Sequence, residues 1–434
     1  MSTRMIGLAG AVGATVLALP AFAAPLVTER VSVATDGRQS NQLSFLSALS
    51  ADGRFVAFWT QADTLVPGDP GLNADVFVRD WKRDRTELVS VGMGGAQSNG
   101  YSEDAAISAN GRFVAFESDA SNLVPDDTNT NDVFVRDRQR GVTERVSVGA
   151  GGVQLNGLSV DPAISGDGRF VAFVSNAGNA PGGDGSNVTR IYLRDRAEGT
   201  TELVSVGPGG VLPDRFQTRR PALSDGGRYI VFLSDATNLV PGDTNGTQDV
   251  FVRDRVARTT TRANVGPGGV QAVGDTCGLI SPNISANGRY VAFTSGASNL
   301  VAGDTNGRCD VFVRDQVERT TTRISVATNG TQGNGDSFTG QIYGNGRYVA
   351  FSSRAGNLVP GDTNRKFDAF VRDRRTGTTT RVSLGASGRQ ANGGSSVVRI
   401  AADGRIVAFG SRATNLVPGD TNGVSDLFVR YPRH

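Results

Sequence analysis

Seven short apolar runs recur along the chain at a nearly constant interval. Each run follows a Gly-Arg pair and begins with an aromatic residue or Ile. Successive copies are 57 to 61 residues apart, which is typical of a repeat architecture. The copies begin at Gly53, Gly111, Gly168, Gly227, Gly288, Gly346 and Gly404.

The fourth copy shows the elements that one repeat predicts. A strand at residues 219–224 leads through a glycine turn into an apolar strand at 228–234, and a long loop precedes a strand at 249–254. A polar turn then leads to a last strand at 260–265. Four-stranded units at a fixed period are propeller blades. The sequence therefore predicts an all-β protein, a seven-bladed β-propeller of four-stranded antiparallel blades.

The two ends of the chain indicate how the ring closes. The seventh copy ends with its third strand, in DLFVRYPRH, whereas TERVSV at residues 28–33 stands alone before the first copy. We expect the N-terminal strand to complete the last blade, because this removes an open sheet edge.

Six of the seven repeats also predict an ion pair, and in the last repeat Tyr431 replaces the Asp. The second and third strands are antiparallel neighbours, so the Arg at the start of one approaches the Asp at the end of the other. Such regularly spaced pairs are structural, since repetition around a ring keeps the carboxylates apart. The predicted pairs are Arg54–Asp80, Arg112–Asp137, Arg169–Asp195, Arg228–Asp254, Arg289–Asp315 and Arg347–Asp373.

The first residues differ from everything that follows. Arg4 precedes an apolar run at residues 5–19, and Ala21-Phe22-Ala23 has the small residues of an export cleavage site. A membrane anchor needs about 20 apolar residues, and this run stops at Pro20. We predict a signal peptide at residues 1–23 and a single propeller domain at 24–434. The mature chain has no other segment apolar enough to span a membrane, and we expect an exported monomer, periplasmic or secreted.

The repeated motifs carry a resemblance to a known family. The turn Ser-x-Asp/Asn-Gly-Arg, the segment SDGGRYIVFLS and the strand DVFVRD resemble the propeller repeat of the TolB C-terminal domain and its WD-repeat-like relatives in bacterial exported proteins. The resemblance covers essentially all of the mature chain. It implies a propeller fold in an exported protein.

Composition and charge narrow the classes of partner. The chain has 57 Gly and 16 Pro, which suits many short strands joined by turns. Lys and Arg number 44 against 42 Asp and Glu, a net charge of 44 − 42 = +2. This balance gives no electrostatic reason to expect nucleic acid or an anionic membrane as a partner. The two cysteines, Cys277 and Cys309, predict one disulfide in an oxidising compartment, with two separate buried thiols as the alternative.

The long loop between the second and third strands is a candidate metal site. Five copies contain Asp-Thr-Asn, and in four of them another Asp follows six residues after the first. Oxygen ligands at this spacing suit Ca²⁺, but Asp and Asn also form turns without metal. Copy three, with Asp184 and Arg190 in these places, is not expected to bind. The candidate ligands are Asp243, Asn245 and Asp249; Asp304, Asn306 and Asp310; Asp362, Asn364 and Asp368; and Asp420, Asn422 and Asp426.

The residue inventory favours a non-catalytic protein. The only histidine is His434, so histidine-based nucleophile activation and histidine metal ligands are not expected. The leading hypothesis is a scaffold that binds a protein or a cell-envelope polymer through its loop-bearing face, with Ca²⁺ as a candidate stabilising ion. A further hypothesis is a purely structural module that calcium stabilises. The alternative is a glycan hydrolase with two carboxylates at the central channel, although the sequence singles out no such pair.

Overall fold

The fold is a ring of seven sheets. The computed structural model describes residues 26–128, 130–215, 217–274, 277, 281–385 and 388–433. Their strands form seven antiparallel sheets of four strands each, which confirms the predicted seven-bladed propeller. The predicted signal peptide at residues 1–23 lies outside the described residues. No helix in the described ranges is long and apolar enough to cross a membrane.

Each blade has four strands. Strands and blades are both numbered along the chain, so that blades 1 to 7 correspond to the seven sequence copies in order and the N-terminal strand belongs to blade 7. The innermost strands are β2 (Ser44–Leu49), β6 (Ser102–Ile107), β10 (Ser159–Ile164), β14 (Thr218–Leu223), β18 (Asn283–Ile284), β22 (Ser337–Ile342) and β26 (Ser395–Ile400). The second strands are β3 (Phe55–Thr60), β7 (Phe113–Ser118), β11 (Phe170–Ser175), β15 (Tyr229–Ser234), β19 (Tyr290–Ser295), β23 (Tyr348–Ser353) and β27 (Val407–Ser411). The third strands are β4 (Asp75–Asp80), β8 (Asp132–Asp137), β12 (Arg190–Asp195), β16 (Asp249–Asp254), β20 (Asp310–Asp315), β24 (Asp368–Asp373) and β28 (Asp426–Pro432). The outer strands are β5 (Arg85–Leu88), β9 (Val142–Arg145), β13 (Thr200–Leu203), β17 (Thr259–Arg262), β21 (Thr320–Arg323), β25 (Thr378–Arg381) and β1 (Leu26–Arg30). Short 3-10 turns lie at Met93–Gly95, Ala150–Gly152, Pro208–Gly210 and Pro267–Gly269.

The core lies between neighbouring blades. The second and third strands have apolar residues at successive positions because both faces of each sheet are covered. In blade 1, Phe58 and Phe77 are fully buried and their rings lie 5.7 Å apart. Both belong to a cluster with Val429 of blade 7, so each sheet is stabilised by the next one around the ring.

The Gly-Arg-aromatic motif holds the blades together. Gly111 has a left-handed backbone (φ 72°), and a Cβ there would lie 2.2 Å from the Phe55 ring of the preceding blade. Only glycine permits both the turn and this close approach. The Arg that follows forms the predicted ion pair, as in Arg112 Nη2 to Asp137 Oδ2 at 2.6 Å. All six predicted Arg–Asp pairs are confirmed.

The N-terminal strand completes the last blade, as predicted. β1 pairs antiparallel with β28, with Leu26 opposite Pro432 and Arg30 opposite Phe428. Val31 is fully buried, and its N–H donates to the carbonyl of Leu427 at 2.8 Å. The strand begins two residues earlier than the TERVSV segment and ends at Arg30.

The two faces of the ring differ. The loops between second and third strands and the connections between blades lie on one face, here called the loop face. The tight turns lie on the other, the turn face, where backbone hydrogen bonds link successive blades around the axis. Tyr343 Oη also donates to Asp225 Oδ1 at 2.8 Å, which joins blade 6 to blade 4. The channel is therefore bridged at the turn face. The inter-blade bonds run from Ala51 to Ala109, Ala109 to Gly166, Gly166 to Asp225, Asp225 to Ala286, Ala286 to Gly344, and Ala402 to Ala51.

Candidate functional site

The channel wall departs from the repeat at one position of the innermost strands. Several of these strands contain a bulge, and the bulge residues Asp104, Asp161, Arg220 and Val397 have left-handed backbones (φ 41° to 54°). This conformation is costly for residues other than glycine, and such outliers are concentrated at functional sites. The bulges place three charged side chains of adjacent blades beside the channel.

Three carboxylates meet where blades 2 and 3 face the channel. Asp104, Glu117 and Asp161 each have a carboxylate oxygen within 4.8 Å of the others. Glu117 comes from the second strand of blade 2, and its Oε2 accepts the backbone N–H of Asp161 at 2.8 Å. Carboxylate oxygens at this spacing are able to bind a divalent cation or to act together in acid–base catalysis.

The environment of Glu117 favours its protonated form. Burial raises the pKa of Glu117 to about 7, and repulsion from Asp104, Asp161 and Glu103 adds to the effect of burial. The hydrogen bond from the Asp161 backbone opposes this rise. Burial likewise raises the pKa of Asp104. At neutral pH, Glu117 is therefore able both to donate and to accept a proton.

Arginines partly balance this negative charge. Arg220 Nη1 lies 3.3 Å from Asp161 Oδ1 and 3.7 Å from Asp104 Oδ2. Arg399 of blade 7 donates from Nε to the carbonyl of Ser47 at 2.7 Å. Burial lowers the pKa of Arg399 to about 10, which still leaves it charged at neutral pH.

A cavity of about 630 Å³ opens beside these groups. Phe45 and Trp59 line it as a stacked pair, with ring centroids 4.1 Å apart and planes 14° apart. Phe367 of the loop before β24 lines another wall. Blade 7 contributes Gly410 where blade 1 has Trp59, and this small residue leaves the space open. The mouth cavity, as it is called below, is lined by Leu43, Ser44, Phe45, Leu46, Trp59, Asp104, Arg220, Ser281, Phe367, Gly394, Ser395, Ser396, Val397, Arg399, Gly410, Arg412, Ser425 and Leu427.

The predicted calcium loops contain an arginine between their acids. In blade 4, the guanidinium of Arg262 lies 3.4 Å from both Asp243 Oδ2 and Asp249 Oδ2, and all three side chains are buried. Asn245 donates its amide to Asp249, and its Oδ1 accepts the N–H of Thr247 in an Asx-turn. A metal ion would compete with the guanidinium for the same oxygens. Calcium binding by these loops stays a prediction. One arginine that lies between two Asp side chains is called an arginine clamp below. Among the described residues, the clamps are Arg145 with Asp127 and Asp132, Arg262 with Asp243 and Asp249, Arg323 with Asp304 and Asp310, Arg381 with Asp362 and Asp368, and Arg30 with Asp420 and Asp426.

Blade 3 exchanges the charges of this clamp. Leu203 occupies the outer-strand position of the arginine, and Arg190 replaces the second Asp. Arg190 Nη2 then pairs with Asp184 at 2.8 Å. Blade 3 therefore also has a guanidinium beside the loop acid, but the third strand supplies it in place of the outer strand.

The two cysteines are joined to each other. Cys277 lies in the connection that precedes blade 5, and Cys309 lies just before β20 of the same blade. Their disulfide closes a segment with a sequence separation of 32 residues. It fixes part of the loop face beside the channel.

Sequence reasoning missed the carboxylate cluster and the mouth cavity. Two acids of the cluster, Asp104 and Glu117, lie on neighbouring strands of blade 2, but only the packing of blade 3 on blade 2 brings Asp161 to Glu117. The available signal was a difference between the copies. Where Glu117 stands, the other blades carry Trp59, Val174, Leu233, Thr294, Ser352 and Gly410.

Comparisons with known proteins agree on the fold. No family model matches this chain, and a search of curated proteins finds no match either. Among solved structures, the β-propeller domain of the trilobed protease from Pyrococcus furiosus has a TM-score of 0.53 at 10% identity, covering 89% of this chain and 95% of its own. Oligogalacturonate lyase from Vibrio parahaemolyticus has a TM-score of 0.51 at 12% identity, covering 94% and 96%.

TolB is also among the similar structures. TolB from Acinetobacter baumannii has a TM-score of 0.40 at 13% identity, and the match covers 78% of this chain and 63% of TolB. The chain thus spans less than two thirds of the length of that protein. With the seven sheets described above, the chain is a seven-bladed β-propeller, and the similar structures share this fold at low sequence identity.

Proposed function

We propose that this protein is an exported, non-catalytic β-propeller that binds a cell-envelope polymer, or a protein, at the channel mouth on its loop face. The observation that carries the proposal is the break in the repeat. Side chains that stabilise the ring recur in most blades, whereas aromatic and charged residues gather at the mouth cavity. Binding residues commonly lie on irregular segments that a rigid scaffold holds in place. Export rests on the signal peptide expected at residues 1–23.

Fold similarity does not choose between binding and catalysis. By their names, the similar structures include a lyase and peptidases, and one propeller architecture supports many unrelated functions. The proposal therefore rests on the mouth itself.

Filling the mouth cavity tests the binding proposal. Ser396 is exposed and lines the cavity, so Ser396→Trp adds a ring there without disturbing the core. We expect this variant to lose at least about ten-fold in affinity for the polymer that the unmodified protein retains, because the ring occupies the binding volume. The measurements are co-sedimentation with peptidoglycan sacculi and binding to immobilised neutral and acidic polysaccharides.

Val256→Trp is the matched control. Val256 is exposed in a turn on the turn face, far from the cavity. This variant is expected to bind as the unmodified protein does. Binding that Ser396→Trp leaves unchanged would contradict the proposal.

A second candidate function is carboxylate-based glycan hydrolysis in the channel. The favouring observation is Glu117, whose pKa of about 7 suits a general acid, beside two further carboxylates within 4.8 Å. Under this hypothesis, Glu117→Gln abolishes turnover of a polysaccharide that the protein cleaves, and Glu103→Gln on the neighbouring strand retains it. Cleavage that survives Glu117→Gln would exclude Glu117 as the acid.

The same variant has a stability effect that does not depend on catalysis. A carboxyl whose pKa is raised by folding favours the folded state less as the pH rises from its unfolded pKa towards its folded pKa. Between pH 4.5 and about pH 7, the free energy of unfolding therefore falls by on the order of 3 kcal/mol because of Glu117. We therefore expect Glu117→Gln to raise the Tm at pH 8 and to have little effect at pH 4. Equal Tm values for the two proteins at pH 8 would contradict this burial.

A further inference from the structure

The mouth cavity has an unequal charge distribution. Its charged lining residues are three arginines, Arg220, Arg399 and Arg412, and one acid, Asp104. The remaining acids of the cluster, Glu117 and Asp161, do not line it. The cavity wall therefore carries a positive excess, although the chain as a whole is nearly neutral. An anionic group of a ligand is favoured there.

Two of these arginines have donors available for a ligand. Arg412 is exposed and forms no ion pair with a carboxylate among the described residues. Arg399 uses Nε and Nη1 for the backbone carbonyls of Ser47 and Val398, which fixes the plane of its guanidinium. A guanidinium held in this way binds a carboxylate with little loss of side-chain entropy.

The rest of the wall fits a ring-shaped, hydroxylated ligand. The stacked Phe45–Trp59 pair presents a partly exposed aromatic surface, on which the apolar face of a sugar ring is able to pack. Ser281, Ser396 and Ser425 are not buried, so the wall also offers hydroxyl groups. A cavity of about 630 Å³ lies within the range of small-ligand sites.

We propose that the mouth cavity binds a carboxylated sugar unit of an acidic polysaccharide, with Arg399 and Arg412 on the carboxylate and Phe45–Trp59 under the ring. The inference rests on the proposed function, since it names the class of polymer for that same mouth. An acidic peptide would also satisfy the arginines, but the aromatic platform and the hydroxyl groups favour a sugar.

Two ligands that differ in one group test the inference. Mannuronate hexamer carries a carboxylate where mannohexaose carries a hydroxymethyl group. By titration calorimetry on the chain of residues 24–434, we expect the mannuronate hexamer to bind at least about ten-fold more tightly at low salt. The preference should shrink as NaCl rises, because salt screens the exposed guanidinium of Arg412.

Variants locate the interaction. Arg412→Gln is expected to lower the affinity for mannuronate several-fold more than the affinity for mannohexaose, because it removes the charge that the carboxylate pairs with. Arg375→Gln, in an exposed turn on the turn face, serves as the control and keeps the preference. Ser396→Trp is expected to abolish binding of both hexamers.

The outcomes separate the inference from the proposed function. Equal affinities for the two hexamers, both lost in Ser396→Trp, would overturn the acidic-sugar inference and leave binding at the mouth intact. Tighter binding of a glutamate hexapeptide than of mannuronate would overturn the choice of a sugar. Mannuronate binding that Ser396→Trp does not alter would overturn both proposals.

Discussion

A chain that begins at Ser32, and so lacks β1, is expected to unfold roughly 6 °C below the chain of residues 24–434. The truncation removes the pairing of β1 with β28, the buried side chain of Val31, and the Arg30 guanidinium from between Asp420 and Asp426. At about 1 kcal/mol for each backbone hydrogen bond, with the lost burial added, the cost is on the order of 5 kcal/mol. Differential scanning calorimetry measures it.

Adding the missing strand as a peptide is the control for this truncation. A synthetic peptide of residues 26–31 is expected to restore most of the lost Tm, because the edge of β28 stays available for pairing. A scrambled peptide should have no effect. A Tm that the truncation leaves unchanged would show that the ring does not depend on this closure.

Arg262→Leu is expected to destabilise the protein by about 3 kcal/mol at neutral pH, because it leaves two buried carboxylates without their cation. Burial already raises the pKa values of Asp243 and Asp249 in the presence of Arg262. Their protonation in the variant removes the unpaired charge. The loss of stability should therefore shrink as the pH falls towards 4, and urea denaturation at several pH values measures it.

Blade 3 supplies the matched rescue. Combining Arg262→Leu with Asp249→Arg reproduces the arrangement of Leu203, Arg190 and Asp184, in which the guanidinium comes from the third strand. The double variant is expected to recover at least half of the loss. Failure of the rescue, with a loss independent of pH, would indicate a packing defect in place of an electrostatic one.

The same loops allow a test of the calcium prediction. If calcium stabilises the Asp-Thr-Asn loops, EDTA lowers the Tm of the unmodified protein and added Ca²⁺ restores it. A Tm that EDTA does not change would contradict calcium binding and leave the arginine clamp as the role of these acids.

The fold was predictable because each blade repeats one pattern of strands and turns. The constant interval of the Gly-Arg motif predicts the number of blades, and the missing fourth strand of the last copy predicts the closure by β1. Both inferences use short-range patterns, which a single sequence displays directly.

The site was not predictable in the same way, because it lies where the copies differ. Asp161 approaches Glu117 only through the packing of neighbouring sheets, and its side chain is aimed by a bulge that breaks the regular register. Likewise, Arg262 follows Asp249 by a whole turn and strand, so the pattern of loop acids alone does not reveal the guanidinium that lies between them.

The pairing of β1 with β28 also restricts when the native structure can form. Residues 26–30 are made before every other strand, yet their only sheet partner, residues 426–432, is made last. Throughout synthesis, the first strand must remain unpaired while the six intermediate blades assemble. The finished ring is thus a late event, and a chain that stops short of residue 426 has no means of closing.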